Sequence, residues 1–230
     1  MSKTVFFLPG TMCDQRLWSK VWPRLKADYN PIHIPLPEAQ NINNMLKTII
    51  EKLPLKNINL VGFSLGGYIA SALAINYPER MRRLMVIANS PGALPKSEIL
   101  IRNKSLNWLK NNDYQGIPLA KIKKYLHAKN QDNQNIIKII TAMDLALGKT
   151  VLINQLSNTT LRDGLSEPLG QIDLPILFCA GEEDNLVNRT TLKALTTKNK
   201  NLQFFEVKNS GHMLPLEQPD RLVEIIHHWI

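Results

Sequence analysis

A serine set between small residues, Gly62-Phe63-Ser64-Leu65-Gly66, is the stretch of this chain best suited to chemistry. The run before it, Ile58-Asn59-Leu60-Val61, is short, apolar and partly β-branched, and predicts a buried strand. The run after it, Tyr68 to Tyr77, carries alanines with Ile69, Leu73 and Ile75 and meets no breaker before Pro78, which predicts a helix. So abrupt a turn from strand to helix strains the serine backbone and crowds its neighbours. Only small residues fit there, and Gly62 and Gly66 supply them. The hydroxyl then stands clear of the sheet, with a helix N-terminus behind it to favour developing negative charge. A serine hydroxyl is nevertheless a poor nucleophile alone. It needs a base, and an acid to orient that base.

Both candidates follow downstream. Pro175 to Gly181 predicts a buried strand ending in a glycine turn, followed by Glu182-Glu183-Asp184-Asn185. Gln203 to Val207 predicts another strand, followed by Ser210-Gly211-His212-Met213. Each candidate lies on a loop beyond the carboxyl end of a strand, where open α/β sheets place their ligands. His212 is the expected general base for Ser64, and Asp184 the group that holds the imidazole tautomer. Glu182 and Glu183 flank Asp184 and are the alternatives by residue type. His33, His127, His227 and His228 have neither such a loop nor a matching partner.

The elements that must position these residues alternate. Thr4–Leu8, Pro31–Leu36, Ile58–Phe63 and Leu84–Ala88 predict strands, with helical patterns around 17–25, 44–52 and 68–77 between them. Such alternation predicts a parallel sheet covered on both faces. It stops for about 80 residues before Pro175. Helical patterns over Ser97–Asn111, Ile117–His127, Ile136–Leu147 and Val151–Leu156 fill that interval, with Gly148 as a turn between the last two. Residues 93–158 are therefore expected to form a helical cap, a subdomain of one domain spanning 1–230. A cap excludes water and builds an apolar pocket. Trp108, Met143, Leu147 and Leu156 are candidates for its wall, and inter-helix core is the plainer role for each.

With Phe7-Leu8-Pro9-Gly10-Thr11-Met12-Cys13-Asp14-Gln15-Arg16-Leu17-Trp18, and with Gly211-His212 followed by Glu217-Gln218-Pro219, these motifs resemble the α/β-hydrolase superfamily over nearly the whole chain. Within it the chain is similar to small bacterial carboxylesterases, including the methyl esterases of pimeloyl-carrier-protein esters, and to enol-lactonases. The resemblance implies an α/β fold whose mostly parallel sheet, of about six strands, is trimmed at its start. It maps the nucleophile to Ser64, the acid to Asp184 and the base to His212. One oxyanion donor maps to the backbone N–H of Leu65, the other to that of Thr11, with Met12 the near alternative and a candidate substrate contact. Many relatives have His-Gly where this chain has Pro9-Gly10. Dehalogenases and epoxide hydrolases of this fold carry an aspartate at the position of Ser64. Asn89 occupies a place where some relatives put their acid, but an amide cannot stabilise imidazolium by charge.

The activity implied is that of a cofactor-independent serine esterase working through an acyl-enzyme. The sharper expectation is a methyl ester or thioester on an acidic acyl carrier protein. Enol-lactone or C–C bond hydrolysis by the same triad is the alternative, and a non-catalytic ligand receptor the reading from another class.

Composition agrees. The chain has 230 residues, 44% apolar, enough for a core without disulfides or metal staples. Cys13 and Cys179, its two cysteines, lack metal-ligand spacing and predict reduced thiols in a cytoplasmic protein. No apolar run approaches the roughly 20 residues that cross a bilayer. Of the formal charge of +9, residues 93–158 contribute six, from ten Lys or Arg against four Asp or Glu. Lys121, Lys123 and Lys124 are the densest patch, either a dock for the acidic carrier or a solvated surface. No aromatic-interleaved basic face or nucleic-acid module accompanies it. Arg162-Asp163 is expected to be an ion pair tying the cap exit to the sheet, with substrate contact the lesser role.

Overall fold

Six strands form one sheet in which every neighbouring pair runs parallel. The computed structural model describes residues 2–230. The chain opens with β1 (Lys3–Leu8), the short helix α1 (Trp22–Leu25) and β2 (Tyr29–His33). It continues through α2 (Ile42–Ile50), β3 (Ile58–Phe63), α3 (Leu65–Asn76) and β4 (Met81–Ile87). Helices α4 (Lys96–Asn111), α5 (Leu119–Tyr125), α6 (Gln134–Thr159) and α7 (Ser166–Gln171) intervene before β5 (Ile176–Gly181). Then come α8 (Arg189–Lys198), β6 (Leu202–Val207), α9 (Leu214–Glu217) and α10 (Pro219–Trp229).

The strand order β2-β1-β3-β4-β5-β6 places β1 between β2 and β3. Winding reverses there, and loops leaving β1 and β3 diverge to open a crevice at their carboxyl ends. The loop after β1 starts at Pro9, and Ser64 follows β3 directly. The order of strands therefore sets the place of the chemistry.

Alternate residues of each strand feed two cores. Val5, Phe7, Val61, Phe63, Met85 and Ile87 pack on one side with residues of α10 such as Leu222 and Ile226. Phe6, Leu8, Leu60, Leu84, Val86 and Phe178 pack on the other with α2, α3 and α8. Every residue of β3 and β5 is buried, which accounts for their unbroken apolar runs. Helix α3 lies against the sheet, and ten of its twelve residues are buried, so it shows no polar stripe.

Strand β2 differs from the sequence pattern, and α6 follows it. Strand β2 begins at Tyr29, before Pro31, which pairs with Val5 inside the strand. Proline is tolerated because β2 is an edge strand, where one side of the ladder needs no N–H donor. The helical runs on either side of Gly148 are two helices, labelled together as α6, and they meet at Gly148, whose φ 74° and ψ −178° break the helix as the sequence pattern expects. Only glycine adopts that conformation readily. No helix among the described residues is long and apolar enough to cross a membrane.

Candidate active site

Ser64 sits at the junction of β3 and α3 with φ 51° and ψ −115°. A non-glycine residue held there stores on the order of 1–3 kcal/mol of strain, sustained by the packing around it. Its N–H donates to the Ile87 carbonyl at 2.8 Å, pinning the turn to β4. A Cβ at Gly62 would fall on the Gly66 carbonyl, and one at Gly66 on the Pro9 carbonyl. The close approach expected from the sequence is therefore made from both sides of the turn.

His212 and Asp184 reach the same point from separate loops. His212 Nε2 lies 3.1 Å from Ser64 Oγ, and Nδ1 lies 2.9 Å from Asp184 Oδ2. A buried carboxylate only accepts, so Nδ1 carries the proton and Nε2 is left to accept from the serine hydroxyl. Asp184 is fully buried, and its other oxygen accepts the Leu186 N–H at 2.9 Å. Glu182 and Glu183 are engaged elsewhere: Glu182 accepts from the Asn209 N–H and Glu183 from the Ala128 N–H. Asn89 lines the cavity beside Ser64, but its side chain makes no bond to His212. Both thiols are buried, and burial pushes each up to about 12, so neither offers a thiolate.

Two supports hold these loops: Arg189, which belongs to no motif in the sequence, and Glu217, whose motif, Glu217-Gln218-Pro219, marks the resemblance without giving it a role. Arg189 donates to the carbonyls of Gly181, Glu182 and Asp184 and pairs with Glu206 at 2.8 Å, fixing the acid loop. Glu217 accepts from the N–H groups of Gly211 and His127 at 2.9 and 2.8 Å, and from Asn130 Nδ2 at 2.9 Å. It thus ties the His212 loop to the inserted helices. The His212 N–H completes this tie by donating to the Tyr125 carbonyl at 2.8 Å.

A cavity of about 290 Å³ opens beside the triad, lined by Thr11, Ser64, Leu65 and His212 among others. The backbone N–H groups of Thr11 and Leu65 have no hydrogen-bond partner among the described residues. Met12, the alternative donor, is excluded from that role because its N–H donates to Gln155 Oε1 at 3.0 Å.

The cavity's other walls correct several expectations. Met12 is buried beside Gln155 and does not line it. Trp108 is 52% exposed on the outside of α4, and Met143 is fully buried in the core with Ile122, Ile136 and Ile140. Leu147 and Leu156 also lie outside the lining. The apolar side chains of α4 to α6 go to the core, as Leu109, Ile122 and Met143 do, or to the outer surface, as Leu100, Ile101 and Trp108 do. The walls instead come from the segment entering α4, with Leu94, Pro95, Glu98 and Arg102, from Leu186, and from Arg162. The pocket is consequently polar on one side. Arg162 does not pair with Asp163; its guanidinium lies over the Tyr68 ring, 4.3 Å from the centroid, and Tyr68 Oη donates to the Asp163 carbonyl at 3.1 Å. The tie from this segment to α3 exists, but runs through Tyr68. Among the described residues no three His, Cys, Asp or Glu side chains gather where they could hold a metal ion.

Known proteins share this arrangement of elements. The structure of a thermophilic esterase from Thermogutta terrifontis superposes with a TM-score of 0.86 at 20% identity, covering 100% of this chain and 89% of that one. An enol-lactonase from Burkholderia xenovorans superposes with a TM-score of 0.83 at 13% identity, covering 100% and 91%. In sequence, a pimeloyl-[acyl-carrier protein] methyl ester esterase from Legionella pneumophila is 22% identical over 94% of this chain and 90% of its own length. The family model described as the alpha/beta hydrolase fold matches residues 18–219. The chain belongs to the alpha/beta hydrolase fold family.

Proposed function

We propose that this chain is a carboxylesterase-type serine hydrolase in which Ser64, His212 and Asp184 act as nucleophile, base and orienting acid. The observation that carries this reading is the continuous chain of contacts from Ser64 Oγ through His212 to Asp184, at 3.1 and 2.9 Å. In the forward step His212 Nε2 takes the Ser64 proton as Oγ attacks the ester carbonyl. The carbonyl oxygen gains negative charge within reach of the Thr11 and Leu65 N–H groups. Asp184 stabilises the imidazolium without taking its proton. The tetrahedral centre then collapses, and His212 gives its proton to the departing alcohol, leaving an acyl-enzyme. Water deprotonated by His212 repeats the sequence and frees the acid. Helices α4 to α6 cover the carboxyl ends of the strands in this reading, as a cap over residues 93–158.

A fluorophosphonate probe tests it directly. Covalent labelling is expected on Ser64 and is abolished by Ser64→Ala, with turnover of p-nitrophenyl esters falling about a million-fold. Undiminished labelling of the Ser64→Ala protein would assign the nucleophile elsewhere. A methyl ester on an acyl chain borne by a carrier protein is the finer reading. It draws support from the names of relatives at 22–24% identity and from the positive surplus over residues 93–158. A cytoplasmic address, in keeping with two unpaired cysteines, belongs to the same reading.

A further inference from the structure

One charge in the cavity has no ion-pair partner among the described residues. Besides His212, three ionisable side chains line the cavity: Glu98, Arg102 and Arg162. Glu98 and Arg102 face each other one turn apart on α4, with Arg102 Nε 2.9 Å from Glu98 Oε1, so their charges cancel. Arg162 makes no ion pair among the described residues. Asp163, next to it in sequence, is exposed and turns its carbonyl to Tyr68. The Arg162 Nε is buried without a hydrogen-bond partner. Stacking on Tyr68 occupies a face of the guanidinium and leaves its N–H edge for another group. Burial, and then the neighbouring charge of Arg102, lower its pKa to about 10 against the opposing pulls of Tyr68 and Glu98, which still leaves a cation at neutral pH. Glu98, the one acid that offsets this charge, is already bonded to Arg102, so a ligand anion has a partly desolvated cation to pair with.

Its position relative to the nucleophile is fixed by α3. Tyr68, the platform under Arg162, stands four residues after Ser64 in the first turn of α3, and Arg162 and Ser64 line the same cavity of about 290 Å³. A small molecule filling this cavity can therefore meet Arg162 and Ser64 together. The direction is set by His212, which must hand its proton to the leaving alcohol. The leaving group accordingly lies against the imidazole, whose ring neighbours are Phe63 and Tyr125. Arg162 has a different set of neighbours, Tyr68, Arg102 and Glu98, so the acyl remainder is the part of an ester left for it to meet.

We propose that Arg162 anchors a free carboxylate on the acyl half of the substrate, so that this cavity selects half-esters of short dicarboxylic acids. The inference rests on the ester-hydrolase reading and adds the charge of the substrate to it. A carboxylate fits because its two oxygens match the paired N–H groups along a guanidinium edge. Short chains fit because about 290 Å³ lies at the small end of ligand sites.

Monomethyl and dimethyl glutarate form a matched pair, charged and neutral at pH 7. The wild-type protein is expected to show kcat/KM at least tenfold higher on the half-ester, carried by KM. Arg162→Gln should collapse that ratio towards one, and Arg162→Lys should restore part of it. A role in packing alone would depress both rates together and leave the ratio where it was; that result, or a wild-type ratio at or below one, overturns the proposal. Binding without turnover gives an independent reading. Calorimetric titration of the Ser64→Ala protein should find glutarate bound at least tenfold more tightly than glutaramide, which has the same shape without the charge. Equal binding overturns the anchor even if Arg162→Gln fails to fold. Loss of fluorophosphonate labelling would instead remove the ester-hydrolase reading and leave this binding comparison standing.

Discussion

Asp184 holds two directional bonds from full burial, one to His212 Nδ1 and one to the Leu186 N–H. Asp184→Asn preserves this shape but replaces an acceptor with an amide, which can present its N–H₂ to Nδ1 and force the proton onto Nε2. The imidazole then faces Ser64 as a donor and cannot take its proton. Esterase kcat is expected to fall about 10⁴-fold with little change in thermal stability. Activity within tenfold of wild type would return the role to another acid, and Glu182 and Glu183 are poorly placed for it, being bonded to Asn209 and Ala128. At this scale the three triad candidates were legible because each directly follows a strand, and the end of a strand is what a one-dimensional pattern marks well. Arg162 was not legible as a cavity residue. The sequence pairs it with Asp163, its neighbour, while the fold turns it onto Tyr68, 94 positions earlier in the chain. Which way a side chain leaves a loop is decided by tertiary packing, to which local spacing is blind.

Elements set how firmly those residues are held. Glu217 joins α9 to two segments at once, with one oxygen on the Gly211 N–H and the other on the His127 N–H and Asn130. Burial raises its pKa against the opposing pull of these donors, so the carboxylate is present at some cost and is needed for the bonds it accepts. Glu217→Ala would strand two buried backbone donors. A loss of about 2–5 kcal/mol in urea unfolding is expected, together with a drop in kcat from a looser His212. Glu217→Gln should keep one of the two acceptors and recover part of both quantities. A variant with full activity and unchanged stability would show that α9 holds the loop by packing alone. The strands at this scale were legible because β3 and β5 are buried on both faces and carry continuous apolar runs. The two helical runs of α6 and the break between them were legible as well, since Gly148 is the one residue there that readily takes a non-helical φ of 74°. The exposed position of Trp108 was not legible. Helix α4 carries apolar residues on more than one side, with Leu100, Ile101 and Trp108 exposed and Leu109 buried, so the pattern does not define a core face.

Across the whole molecule, charge separates two sources from which a substrate could draw affinity. The anchor at Arg162 is short-ranged and enclosed, whereas the surplus over residues 93–158 acts through solvent. Within that surplus Lys123 is already matched by Asp132 at 2.6 Å, while Lys121 and Lys124 have no ion-pair partner among the described residues. An acidic carrier protein would feel this field before contact, and its association would be accelerated by about tenfold or more at low ionic strength. Salt shortens the reach of such a field to about 8 Å at 0.15 M and about 3 Å at 1 M. Turnover of a carrier-linked methyl ester is therefore expected to fall by about an order of magnitude from low to high salt. Lys121→Glu with Lys124→Glu should lower it further at low salt and remove most of its salt dependence. A small half-ester bound inside the cavity is screened far less, and its kcat/KM should change only about twofold over the same range. The two substrates thus report on different parts of the protein. If the carrier-linked ester shows no steeper salt dependence than the free one, and the paired Lys→Glu changes leave it unaffected, the positive surplus is a solvated surface and the carrier reading fails, whereas the chemistry at Ser64 stands.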